Sequence, residues 1–110
     1  MLEKLKLIEE RYEELNTFMG DPVVAKDHVK VAEYAQEQSE LEDLVQAYRR
    51  YNALEAELGD TQALLEMEEG EEMREMAAQE VARIEAEMEA LYDRLRLLLL
   101  PRDPNDEKNV

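Results

Sequence analysis

The chain has 110 residues, 29 acidic against 13 basic, a formal net charge of −16, no Cys, no Trp and one Phe. That charge repels a phosphate backbone and excludes non-specific nucleic-acid binding, and the absence of cysteine excludes a disulfide framework or thiolate metal site. Leu, Ala, Met and Glu dominate, with only three Gly and three Pro, a composition suited to long helices that must shelter one another.

The amino terminus, Met1-Leu2-Glu3-Lys4-Leu5-Lys6, is amphipathic. It lacks the continuous apolar core of a signal peptide and the acid-poor character of a transit peptide. No run approaches membrane-spanning length, so a cytoplasmic chain is expected. The first helix is predicted over Leu2 to Phe18, with Leu5, Ile8, Tyr12, Leu15 and Met19 as its apolar stripe. Gly20 is placed to stop it as a left-handed cap, and Pro22 follows. Val23 and Val24 then sit in a short connector, expected to tuck under the domain rather than form a strand.

Asp27 is the predicted N-cap of a second helix running to about Met67. Leu41, Leu44, Tyr48, Tyr51, Leu58 and Leu65 outline a heptad seam, interrupted by Glu55 and Gln62. Gly59 lies in the middle and costs a helix about 1 kcal/mol relative to Ala. A break there is left open, but the seam keeps its phase across it and favours one helix of roughly 60 Å. The chain must turn around Gly70. From Asp60 through Glu80 there are eight acids against one base, Arg74. Glu66, Glu68, Glu69, Glu71, Glu72 and Glu75 therefore make the hairpin tip the most negative place on the molecule and its candidate partner-binding surface. Glu71 and Glu72 fall in the first turn of the next helix, where the dipole favours negative charge.

The third helix is predicted over Met73 to Leu100, with a seam of Ala77, Val81, Ile84, Met88, Leu91, Leu95 and Leu98. It must end at Pro101-Arg102-Asp103-Pro104-Asn105-Asp106, because each proline biases its predecessor away from helical geometry. The expected fold is all-α: a long antiparallel, coiled-coil-like helical hairpin with the shorter first helix packed on it. Residues 1–100 form the domain and 101–110 begin a linker.

Little else carries chemistry. His28 has no carboxylate or thiol at metal-ligand spacing and reads as an ordinary first-turn residue. The glutamates read as a solvated helix face rather than catalytic pairs. Asp103, Asn105 and Glu107 echo the first ligands of a calcium loop, but Lys108 stands where that loop needs Gly. Tyr48-Arg49-Arg50-Tyr51 could stack RNA bases, yet both tyrosines fall on the seam, with the arginine stems covering it. Thr17, Ser39 and Thr61 are lone hydroxyls with no neighbouring base. No cofactor and no enzymatic activity are expected.

The run Leu97-Leu98-Leu99-Leu100-Pro101-Arg102-Asp103-Pro104-Asn105-Asp106-Glu107-Lys108-Asn109-Val110 resembles the end of the first domain in the bacterial class I peptide chain release factors. Glu-Arg-Tyr-Glu-Glu-Leu at Glu10 to Leu15, Asp21-Pro22-Val23, the Tyr48-Arg49 region and Met73-Arg74-Glu75-Met76-Ala77 match that family as well. The Asp-Pro-Asn-Asp form fits the factor reading UAA and UAG better than its sister reading UGA and UAA. The resemblance implies translation termination. It makes this segment a non-catalytic arm reaching toward the stalk base and GTPase-associated region of the large ribosomal subunit. The family's codon-reading motif and its Gly-Gly-Gln loop, whose glutamine is methylated, lie in later domains and have no counterpart in residues 1–110. The rival reading is a free-standing acidic coiled-coil adaptor or dimerisation module, and a homodimer of the isolated segment is left open.

Overall fold

The computed structural model describes residues 1–101. Four helices follow one another: α1 (Leu2–Gly20), α2 (Pro22–Ala25), α3 (His28–Met67) and α4 (Glu71–Leu98). Among the described residues there is no strand, and the extents are 61 × 41 × 22 Å. The roughly 60 Å expected of α3 from its length matches the longest dimension.

The helix α1 runs two residues beyond its predicted end. Gly20 is its last residue and no glycine has a positive φ, so Gly20 is not a left-handed cap. The helix stops because Asp21, at φ −71° and ψ 125°, opens the next one: its carboxylate accepts from the Val23 amide at 2.8 Å, with Pro22 at the first helical position. The predicted valine connector is thus a single helical turn. Val24 is half-buried, but Val23 is 78% exposed and does not tuck under the domain. Asp27 caps α3 as predicted, accepting from the Lys30 amide at 3.2 Å.

The helix α3 is continuous through Gly59. Along its first half lies α1, antiparallel to it: Phe18 meets the Tyr34 ring at 5.3 Å, and the Tyr12 hydroxyl donates to Glu42 at 2.6 Å. Along its second half lies α4, also antiparallel: Tyr51 faces Tyr92 at 6.3 Å, Arg50 pairs with Glu87 at 2.8 Å, and Arg83 reaches Glu57 at 3.2 Å. The three helices share a core where these halves overlap, built from Leu5, Ala47, Tyr48 and Leu95, with Leu44, Tyr51, Leu91 and Leu99 packed against it. Leu15, Val45, Leu54 and Ile84 are buried elsewhere along the interfaces.

Two partners on one helix explain where the predicted α3 seam differs. Tyr34, Gln38, Leu41, Val45 and Tyr48 are buried or half-buried along the α1 side, at steps of four and three. Leu44, Ala47, Tyr51, Leu54, Leu58, Thr61 and Leu65 do the same along the α4 side, at steps of three and four. A single stripe drawn through both sets meets Glu55 and Gln62; both are exposed, and the true seam passes through Leu54 and Thr61 instead. On α4 the predicted stripe holds from Ala77 to Leu95, but Leu98 is exposed and Leu99 takes its place against the core. The calcium-like Asp103, Asn105 and Glu107, and the exit run beyond Pro101, lie outside the described residues.

Candidate functional site

The connection between α3 and α4 is three residues long. Helix α3 closes at Glu68, whose backbone is extended and whose amide donates to the Leu64 carbonyl at 2.9 Å. The Glu68 carboxylate folds back to accept from the Gly70 amide at 3.0 Å. Gly70 sits at φ −71°, which any residue adopts. Its absent side chain matters for space, since a Cβ there would lie 3.1 Å from that same Glu68 oxygen. Helix α4 then starts with Glu71 and Glu72 in its first turn, beside the unpaired amides at its positive end.

The fold brings the predicted acids together at this one end. Glu66, Glu69, Glu71, Glu72 and Glu75 are exposed, and Glu68, engaged as a cap, is half-buried. None of them is held by an arginine among the described residues. Among the described residues no acid from Asp60 to Glu75 enters an ion pair, whereas every arginine clamp lies elsewhere. Arg11 holds Glu37 at 2.6 Å, and Arg49 spans to Glu9 and Glu13 while lying over the Tyr12 ring. Arg50 and Arg83 share Glu87. These guanidiniums hold the Glu37, Glu80 and Glu87 carboxyls below the usual glutamate range. The Tyr12 hydroxyl is pushed above its ordinary value, chiefly by its hydrogen bond to Glu42.

The remaining sequence candidates settle into structural roles. His28 is the exposed first residue of α3. Tyr48 is buried and Tyr51 half-buried on the core, so neither offers a ring for stacking. Arg49 and Arg50 do more than cover the seam, since they tie α3 to α1 and α4 respectively. Thr17 and Thr61 hydroxyls donate to the carbonyls of Glu13 and Glu57 one turn back. Among the described residues no group of three or more His, Asp or Glu is placed to hold a metal ion, and no helix is long and apolar enough to cross a membrane.

One feature of the tip escaped the sequence reading. Leu64, Met67, Met73 and Met76 are all exposed there, a concentration of apolar side chains beside the acids. The available signal was that all four lie off the heptad stripes, within thirteen residues of one another.

Comparison with known proteins places this geometry in a family. The PCRF domain matches residues 8–110. Peptide chain release factor 1 of Bacillus licheniformis is 47% identical over all 110 residues, and that of Bacillus subtilis is 46% identical over the same span. The protein of the same name from Geobacillus sp. is likewise 46% identical. In each case the whole of this chain aligns with 31% of the relative's length, at its amino-terminal end. No solved structure matches it. With a family match covering all but seven residues, and an all-helical hairpin among the described residues, the chain belongs to the PCRF domain family.

Proposed function

We propose that this chain is the amino-terminal, non-catalytic arm of a cytoplasmic peptide chain release factor, acting in translation termination at UAA and UAG codons. The observation that carries the reading is the end-to-end alignment with proteins named peptide chain release factor 1. In this reading the arm presents its acidic tip, Glu66, Glu68, Glu69, Glu71, Glu72 and Glu75, to a basic protein of the ribosomal stalk base or GTPase-associated region. The unpaired state of these acids supports the assignment, because charge complementarity speeds encounter and selects partners. A net charge of −16 argues against direct contact with ribosomal RNA.

The adaptor reading draws less support. A free-standing dimerising coiled coil would leave its seam open for a second chain, and here Leu15, Leu54, Ile84 and Leu95 are closed within one. Leu97 and Leu100, at the end of α4 beside the three-helix overlap, remain exposed as surface that self-association of the segment could use.

Two measurements test the proposal. The reading frame past the codon for Val110 is expected to encode a Gly-Gly-Gln motif, and a frame without one overturns the release-factor reading. In the factor carrying this domain, Glu69→Lys, Glu72→Lys and Glu75→Lys together are expected to slow association with ribosomes paused at UAA by about tenfold at low salt. An unchanged rate removes the acidic tip as a contact.

A further inference from the structure

Beside the tip acids, an open groove of about 240 Å³ lies between α3 and α4, lined by Thr61, Leu64, Met73, Met76, Ala77 and Glu80. Its walls are apolar and wet: Leu64 and Met73 are each 49% exposed and Met76 60%. Its base is small, with Ala77 buried and Thr61 half-buried. The Thr61 hydroxyl already donates its proton to the Glu57 carbonyl at 2.8 Å, so that side chain has no free donor to offer an occupant. Methionine walls are unbranched and polarisable, and they adapt to whatever side chain enters. The seam of the hairpin does not need these residues. Leu54 and Ile84 are fully buried, while Met73 and Met76 are left about half exposed.

The occupant's chemistry follows from the surroundings. The stretch Asp60 to Glu80 carries eight acids and one base, a net of −7, and the groove lies inside it. A second copy of this chain would bring the same charge to the contact and be repelled. An anionic lipid surface or a nucleic acid meets the same barrier. What fits is a row of apolar side chains flanked by cations, which a short helix presents naturally at i, i+3, i+4 and i+7.

We propose that the groove between α3 and α4 at the hairpin tip docks the apolar face of a basic amphipathic helix, with the surrounding glutamates meeting its lysines and arginines. This rests on the reading of the tip as the contact surface and adds how the partner is held. Charge brings the helix in, and burial of its apolar side chains against Leu64, Met73 and Met76 keeps it there.

The test uses the full chain with methyl-labelled methionine and, as probe, a synthetic leucine–lysine peptide of about 14 residues patterned as an amphipathic helix. A scrambled peptide of identical composition reports charge alone. The six methionines supply both signal and internal control. The patterned peptide is expected to shift the Met73 and Met76 methyl resonances and leave Met1, Met19 and Met88 in place. It should bind at least about fivefold more tightly than the scramble. Met73→Gln with Met76→Gln should remove about that advantage without altering the salt dependence of binding. Equal binding of the two peptides, or silent Met73 and Met76 methyls, overturns the groove while leaving an electrostatic tip contact standing. Methyl shifts that appear on concentrating the chain alone assign the groove to a second copy and also overturn it. The ribosome association rates of the charge-reversed tip decide the underlying reading separately.

Discussion

Arg11, Arg49, Arg50 and Arg83 each reach from one helix to another, and each does so on a surface where a single ion pair contributes only about 0–1 kcal/mol. Their weight lies in geometry: Arg11 approaches Glu37 through both Nε and Nη2, at 2.6 and 2.9 Å, a two-point grip that fixes how α1 sits along α3. The Glu37 carboxyl is held below its ordinary value chiefly by its hydrogen bond to Arg11. A folded-state value below the unfolded one means that the contribution is complete above the ordinary glutamate range, about 4.3, and fades as the pH falls through the lowered value. The stability difference between the native chain and Glu37→Gln should therefore be flat from neutral pH down to the ordinary range and shrink below it. Chemical denaturation of both proteins across pH 7 to about 2.5 checks this. A difference that grows on acidification would show that the Arg11 pair is not its source.

At the scale of elements, α3 is the axis of the molecule because it carries two seams. Leu41, Val45 and Tyr48 serve α1, while Leu44, Tyr51, Leu54 and Leu58 serve α4, and both sets are present over the stretch where all three helices meet. Periodicity alone joined positions from the two sets into one stripe and so met Glu55 where Leu54 does the packing. The two positions give opposite expectations. Leu54→Ala should cost about 2–5 kcal/mol because it empties a fully buried site, whereas Glu55→Ala should change stability by less than about 0.5 kcal/mol. Gly59 offers a third: a Cβ added there meets nothing within 4 Å, and the helix passes through unbroken. Gly59→Ala should stabilise the chain by about 1 kcal/mol. Urea titration of the three variants measures all of this, and a destabilised Gly59→Ala would mean that the helix needs its give at that point.

The whole molecule is a flat, elongated body with unlike ends. Near the overlap of the three helices, arginines answer glutamates across each interface, and the core is closed. Toward the tip only two helices remain, the acids lose their partners, and Met73, Met76 and Leu64 come to the surface. Repulsion among unpaired acids concentrated on one end should outweigh the modest attraction of the exposed clamps at low ionic strength. Raising NaCl from about 10 to about 300 mM shortens the screening length from about 30 Å to below 8 Å and is expected to raise Tm, with amide exchange slowing most at residues 60–80. A falling Tm would show that the clamps dominate the electrostatics.

Length, composition and the breaks at Pro22, Gly70 and Pro101 were enough to determine the three long helices in this order, to within two residues at their ends, the Asp27 cap and the acidic turn, because each follows from interactions within a few residues; the single turn Pro22–Ala25 was read as a connector. The α1 and α4 stripes were legible too, since each of those helices packs chiefly along one face. Only the tertiary structure decided which of the α3 positions faces which neighbour. A helix flanked on two sides buries more than one stripe, and no local pattern says where one partner ends and the other begins. The same is true of the tip. The sequence placed its acids, but that they enter no ion pair among the described residues, beside an apolar groove between two helices, depends on where residues far apart in the chain come to lie.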